Sequence, residues 1–504
     1  MVTVKSILAD HPELADRLLD GKFGIELEQH RIMTDGTLSR QPYPATFGSR
    51  RHHPYLKTDF SDTMIELATP PTTGATAAVL NAKALQQIVH EQLQIDERFW
   101  PLSMLPNLSD ADLEYASHNN TRTWMQEYHD HLLAKYGPER EIMTGVHIGY
   151  SLNSTLIHGL YHQGFKTKYP DKARFRNEMY FQLAQGFAIY RWLFTYLFGC
   201  TPFITNRPSD VPADVQSPVR SFRNSQYGYA NLPTETITYA DLDYYLASIS
   251  DRVKNGSFYS HHEAYCAARL KCKDDTLAGL LSHGTEWIEL RGFDLDPVSR
   301  AGISNDTLNF LELFMAYILT LDEPADLADQ LAQADERNNQ VALQHPHEQF
   351  DWVLEQGTTL LDQLEAFARA INAPKIYFDA ILFSRRRLED PTLTIAGQLL
   401  DQVSDEADYF NYGMKIANER FTAIRQATQP LQVFADRLTP DVQTLIKTAI
   451  ELGVKIDLTD GIELSVGDHL EIFDEKITFV FPNGPQAYLT DLFPELAQLT
   501  DEQP

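Results

Sequence analysis

The chain has 504 residues, 43% hydrophobic and 22% charged, which is ordinary for a globular protein and long enough for a large core or for two or more domains. A formal net charge of −28 argues against a nucleic-acid backbone or an anionic membrane as the main partner. It leaves room for a small phosphorylated ligand, because a local patch of arginine and Mg2+ outvotes the global field at short range.

The N-terminal stretch MVTVKSILADHPELADRLLDG reads as a short acidic amphipathic helix without the apolar run of a signal peptide. FGIELEQHRI (23–32) then alternates as a strand. Phe23, Ile25 and Leu27 fall on one face, and Glu26, Glu28 and His30 on the other, which sets the two carboxylates about 7 Å apart. Like charges placed so are a cost unless water covers them or a cation lies between them.

KTDFSDTMIELATP (57–70) contains a second strand, 63–69, with Asp59 before it and Glu66 inside it between Ile65 and Leu67. TPPTTG (69–74) breaks the pattern, and helices are predicted over 75–95 and 121–136. A third strand spans 143–152, where TGVHIGYSLN puts His147 on a face with Gly145, Gly149 and Ser151 and so leaves space above the imidazole. A helix follows over 172–199. The oiliest stretch, WLFTYLFGCTPFI (192–204), is interrupted by Gly and Pro and is too short to span a bilayer. NRPSDVPADVQSPVR (206–220) is a long loop of the kind that walls or closes an active site. TEWIELRGFDLDP (285–297) holds a fourth strand, 285–293, with Glu289 and Arg291 on one face.

From about residue 303 the pattern turns helical, over 305–321, 325–344, 350–372 and 391–453, with breaks at Pro324 and Pro346. Strands or a hairpin are expected within 454–481. The reading is an α+β catalytic portion over 1–300 and a mostly helical portion with terminal strands over 301–504, packed as one catalytic unit. HPHE (345–348) and Arg385, Arg386 and Arg387 read as surface features. Cys200, Cys266 and Cys272 lack CxxC spacing and fit thiols in a reducing cytoplasm.

No GxxxxGK[ST], GxGxxG, GxSxG or HExxH pattern is present, so metal ions and side chains would have to hold any phosphate. Each of the four strand motifs alone also fits a solvated face or a same-face ion pair. Together they describe one sheet face gathering several acids, a histidine and an arginine. Such hard oxygen donors suit Mg2+ or Mn2+ better than Zn2+.

The ordered set GIELE (24–28), GSRRHHPYLKTDFS (48–61), TGVHIGYSL (144–152), SFRNSQYGYAN (221–231) and EWIELRGFDLDP (286–297) resembles the bacterial glutamate–cysteine ligase (γ-glutamylcysteine synthetase) family over about residues 20 to 300. The resemblance implies a curved antiparallel active-site sheet of the glutamine synthetase and guanido-kinase type, surrounded by helices. It places Glu26, Glu28, Glu66, His147 and Glu289 around a multi-Mg2+ ATP site, bordered by Asp59 and Phe60. It makes Arg291, next to Glu289, the residue that steadies the transferring phosphate or the reacting carboxylate. Arg223 and Tyr229 match residues that contact the cysteine substrate. YCAARLK (265–271) puts Tyr265 at the acceptor pocket and Arg269 and Lys271 near the nucleotide, and EYHDHLLAKYG (127–137) contributes Tyr128. The position after Tyr128 is often Arg in the family and is His129 here.

The implied activity is ATP-dependent ligation of the glutamate γ-carboxylate to the amine of L-cysteine through a γ-glutamyl phosphate, the first step of glutathione biosynthesis. The same chemistry on another amine acceptor, and a non-catalytic nucleotide-binding homologue, are the alternatives. The implied partners are glutamate, cysteine and ATP with Mg2+ or Mn2+, without nucleic acid or membrane, in a cytoplasmic monomer. No glycine-rich phosphate loop follows residue 300, so synthesis is expected to stop at the dipeptide.

Overall fold

The computed structural model describes residues 2–118, 122, 125–459 and 461–498. At its centre is an eight-stranded antiparallel sheet in the order β2-β3-β1-β6-β8-β7, with β4 and β5 also paired to β1. The strands are β1 (Lys22–Met33), β2 (Leu56–Thr58), β3 (Met64–Ala68), β4 (Thr72–Thr73), β5 (Glu97–Phe99), β6 (Val146–Ser151), β7 (Ala268–Lys271) and β8 (Trp287–Phe293). The alternation in the sequence sets the register, because Phe23, Ile25, Leu27, Ile65, Leu67, Val146, Ile148, Tyr150, Ile288 and Leu290 are all buried on one face. A one-residue slip would carry these side chains to the opposite face.

Helices cover that apolar face. Helix Ala75–Gln92 packs on β1 and β3, and the 27-residue helix Lys172–Phe198, about 40 Å long, packs on β7 and β8. Its start is capped by Asp171, whose carboxylate accepts from the Ala173 N–H at 2.9 Å. The stretch that reads as the oiliest in the chain is the end of this helix. Trp192, Leu193, Phe194 and Leu197 are buried there, and Phe194 meets Phe293 of β8 at 5.9 Å and Phe314 at 5.1 Å. Phe314 belongs to helix Asn305–Thr320, which is buried nearly all round, as its continuous apolar sequence requires. The two helices approach closely because Gly186 leaves room for Ile318, where a Cβ would collide. One hydrophobic core thus runs from the sheet into the helices beyond residue 303. Among the described residues no helix is long and apolar enough to cross a membrane.

Several expectations need correction. The run expected over 391–453 is three helices, Ile395–Leu400, Glu406–Arg425 and Pro440–Glu451, the last opening at Pro440. Helix Lys375–Glu389, unassigned in the sequence reading, opens after Pro374. It buries Arg387 instead of leaving it in solvent. That guanidinium lies 3.8 Å from the Phe383 ring and donates to the Leu197 carbonyl at 3.1 Å. Within 454–481 the strands are present as expected, as a three-stranded sheet of β9 (Lys455–Asp457), β10 (Ile462–Val466) and β11 (His469–Phe473). The helix expected over 121–136 is seen as Gln126–Tyr136, and residues 121, 123 and 124 lie outside the described residues.

Candidate active site

The polar face of the sheet is built by cross-strand register. Lys57 of β2 stands opposite Glu66 of β3, Glu66 opposite Glu28 of β1, and Glu26 opposite His147 of β6. Gly149 of β6 stands opposite Glu289 of β8, and Glu289 opposite Arg269 of β7. Opposed residues of antiparallel strands share a face at about 5 Å, so six strands deliver one connected row of charged groups. The His147 Nδ1 lies 3.5 Å from Glu26 and 3.6 Å from Glu28. The second oxygen of Glu28 accepts from the Gly145 N–H at 3.0 Å.

His30, on the same parity as Glu26 and Glu28, is not part of this row. It is buried and satisfied by the Thr63 hydroxyl and the Ile142 carbonyl, each at 2.9 Å.

The electrostatics divide the acids into two kinds. Burial pushes Glu28 well above the usual carboxylate range, and the charge of Asp59 adds to it. Burial and Glu289 push Glu26 upward, and burial raises Glu66 to about 7. Burial, with Arg291 nearby, holds His147 well below its ordinary value, so its imidazole is neutral and offers a lone pair. Burial would raise Glu289 too, but Arg269, Arg291 and Lys271 outweigh it and keep this carboxylate ionised. Arg269 pairs with Glu289 at 2.6 Å, and Arg291 also bonds it directly. Three acids that lack enough positive charge, Glu28 buried and Glu26 and Glu66 partly exposed, form beside a neutral imidazole a donor set that fits Mg2+ or Mn2+.

Beside this row, Arg291 donates to the Tyr229 hydroxyl at 2.8 Å, and the Tyr229 and Tyr265 rings stand 4.4 Å apart. The Tyr229 ring also stacks 6.4 Å from His147. Arg223 is buried beneath, its guanidinium 3.4 Å from His147 Nε2 and donating to the carbonyls of Arg291 (3.3 Å) and Phe293 (3.1 Å). Arg223 is therefore engaged with the sheet backbone. Gly145 allows this close approach, because a Cβ there would strike the guanidinium. Phe60 stacks on His129, which stands where the resemblance often has arginine, with ring centres 4.3 Å apart. Tyr128 is half-buried at the rim, its ring 5.4 Å from Tyr259 and within electrostatic range of Tyr229 and Glu141. The Asp59 carbonyl accepts from Arg122, while its carboxylate acts on Glu28, Glu66 and Glu141.

At the β7 edge, Lys271 lies 2.6 Å from Asp275 and 3.7 Å from Glu289. Arg269 also donates to the His262 carbonyl at 2.8 Å. The ligand atoms of His261, His262 and Asp275 lie within 4.8 Å of one another, with Asp275 already paired to Lys271. Loop 206–220 is anchored by Asp210 to Arg140 at 2.7 Å, and Arg140 donates to the Tyr227 carbonyl at 3.2 Å. The loop thereby borders segment 221–231.

The site residues singled out from the sequence lie on this sheet face or on the segments beside it. Lys57, Glu141 and Asp275 were missed. Lys57 and Asp275 are recognisable only by their partners across the fold. Glu141 sits in the turn PERE, which reads as solvated surface.

A family model described as glutamate-cysteine ligase matches residues 6–265 and 257–341. The chain is 32% identical over 462 residues to the glutathione biosynthesis bifunctional protein GshAB of Enterococcus faecalis, covering 90% of this chain and 60% of that one. It is also 32% identical over 490 residues to the corresponding protein of Listeria monocytogenes, covering 92% and 63%. The chain thus spans less than two thirds of the length of these relatives. Among solved structures, a bifunctional glutathione synthetase from Pasteurella multocida superposes with a TM-score of 0.84 at 27% identity, over 94% of this chain and 62% of that one. A glutamate–cysteine ligase from Francisella tularensis, solved with AMP, shares the fold with a TM-score of 0.71 at 22% identity, over 86% of this chain and 94% of that one.

Proposed function

We propose, since this chain belongs to the glutamate-cysteine ligase family, that it uses ATP to join the γ-carboxyl group of glutamate to the amine of L-cysteine through a γ-glutamyl phosphate, the first step of glutathione biosynthesis. The supporting observation is the unbroken row Glu66, Glu28, Glu26, His147, Glu289 and Arg269 beside the Arg291–Tyr229–Tyr265 cluster.

A free carboxylate is a poor acyl donor because oxide would have to leave. Transfer of the terminal phosphate of ATP to it creates a good leaving group, and the acceptor amine then displaces phosphate. Mg2+ or Mn2+ held by Glu26, Glu28, Glu66 and His147, with Glu289 and Asp59 at the margin, would supply charge neutralisation for the nucleotide phosphates. Arg269 and Lys271, at the β7 edge, would meet those phosphates. Arg291, fixed by Glu289 and Tyr229, would stabilise the oxygen that gains charge when the acyl carbon becomes tetrahedral. Tyr229, Tyr265, Phe60 and Tyr128 wall the acceptor pocket and exclude water from the acyl phosphate. Loop 206–220 is a candidate lid for this step. The reading includes a cytoplasmic monomer.

Mass analysis of the product from glutamate, cysteine and Mg·ATP tests the reaction, and a panel of amino acids and amines monitored by ADP release tests the acceptor. The stacking of His129 on Phe60, where the family often has arginine, favours one alternative, a different amine acceptor. Best turnover with another amine would replace cysteine in the assignment. No product with any acceptor would leave only a nucleotide-binding role.

A further inference from the structure

The ligation requires a group to take a proton from the acceptor, which arrives as an ammonium ion, and the residues named so far are poorly suited to it. Glu26, Glu28 and Glu66 belong to the cation-binding row, and Glu289 is held by two arginines. A further buried acid, Glu141, borders the tyrosine cluster. Glu141 ends the turn Pro138–Glu141 and leads through Met143 and Gly145 into β6, so the strand that carries His147 also fixes its position. Its side chain enters the acceptor pocket. The Tyr265 hydroxyl donates to Oε2 at 3.4 Å, while Oε1 is buried and has no hydrogen-bond partner among the described residues. A carboxylate oxygen left so costs stability, and natural structures keep such groups for a reason.

We propose that Glu141 is the base of the ligation, binding the acceptor ammonium through Oε1 and taking one of its protons. The inference rests on the ligase reading above. Two protons leave the nitrogen in all. Glu141 takes the first, and the freed electron pair forms the C–N bond to the acyl carbon. The acyl C–O bond then breaks, its electron pair leaves with phosphate, and the departing phosphate takes the second proton.

The surroundings suit this task. Asp59 and Glu263 are the acids that face Glu141, Arg291 is the cation, and Tyr265, Tyr128 and Tyr229 are neutral phenols. Burial first, then Asp59, raises Glu141 to about 8. The raised carboxylate lies closer in basicity to the amine it must deprotonate, whereas an ordinary carboxylate would be a much weaker base.

The test compares cysteine with hydroxylamine as acceptors for glutamate and Mg·ATP. Hydroxylamine is largely unprotonated at neutral pH and attacks without a base. In Glu141→Gln the ratio of cysteine-dependent to hydroxylamine-dependent turnover should fall by about 100-fold, a typical contribution of a general base. The rise of cysteine turnover with pH near Glu141's titration should disappear with it. Glu141→Asp, which keeps a carboxylate, should recover cysteine turnover well above Glu141→Gln. An unchanged ratio in Glu141→Gln, or Glu141→Asp no better than Glu141→Gln, overturns the assignment. If the native protein makes no hydroxamate from glutamate and ATP, the ligase reading itself fails.

Discussion

Glu26 and His147 face each other across β1 and β6, with the carboxylate 3.5 Å from the imidazole Nδ1. This is not an ordinary ion pair. Burial drives the imidazole to its neutral form, and burial with Glu289 raises the acid. Without a cation the pair is a cost to folding rather than a gain. Glu26→Gln should lower turnover by at least about 100-fold, in line with losing a group that positions the transferring charge. The same change should leave the metal-free melting temperature equal or raised, because a strained charge is removed. Thermal unfolding and initial rates on one preparation check both, and a large loss of stability would count against the arrangement.

Burial of the remaining acids gives a pH dependence whose sign follows from Glu66. Its folded pKa of about 7 lies above the ordinary 4.5. Between those values the unfolded chain has released this proton and the folded chain still holds it. Stability therefore drains as pH rises from 4.5 to about 7 and levels off beyond. A divalent cation binds the deprotonated acids and opposes that loss. Mg2+ should thus raise the melting temperature more at pH 8 than at pH 5, and chelation should reverse the gain. Equal shifts at the two pH values would show that Mg2+ binds elsewhere.

Gly145 and Arg223 offer a steric test. Gly145→Ala pushes a methyl group into the guanidinium that braces the Arg291 and Phe293 carbonyls and touches His147. Overpacking of this kind costs about 1–3 kcal/mol. The larger effect should be on turnover, since the displaced arginine shifts β8 and with it Glu289 and Arg291. Denaturant unfolding and steady-state rates separate the two, and activity lost only in proportion to stability would deny Arg223 its bracing role.

The parts of this site that the sequence revealed are those carried by strands. Alternation gave Glu26, Glu28, Glu66, His147, Glu289 and Arg291 a common face before any partner was known, because a strand's period fixes the face from the chain alone. Alternation does not show where a polar face ends: His30, two residues past Glu28 on the same parity, is closed off by Thr63 and Ile142. Arg387 looked solvated among three arginines, and only the folded chain brings Phe383 and the Leu197 carbonyl to it. Glu141 has the same character, since PERE resembles any surface turn until β6 and Tyr265 close over it. Long-range partners, absent from local pattern, decided these residues.

Glu312 lies far from this chemistry and tests the same electrostatics without a ligand. It is fully buried in helix Asn305–Thr320, one oxygen accepting from the Gly21 N–H at 2.9 Å and the other from the Tyr377 hydroxyl at 2.8 Å. Burial raises its pKa to about 8, against an ordinary 4.5. Across that window the folded chain keeps a proton that the unfolded chain has lost, so this group alone removes up to about 1.4 kcal/mol of stability per pH unit as pH rises. Glu312→Gln removes the charge while its oxygen still accepts from Gly21 and its amide can donate to the Tyr377 hydroxyl. The variant should therefore lose less stability than the native protein between pH 6 and pH 8, as read by denaturant midpoints at both. A native and a variant curve that fall in parallel would mean that Glu312 is already ionised at pH 6 and that its two hydrogen bonds outweigh its burial.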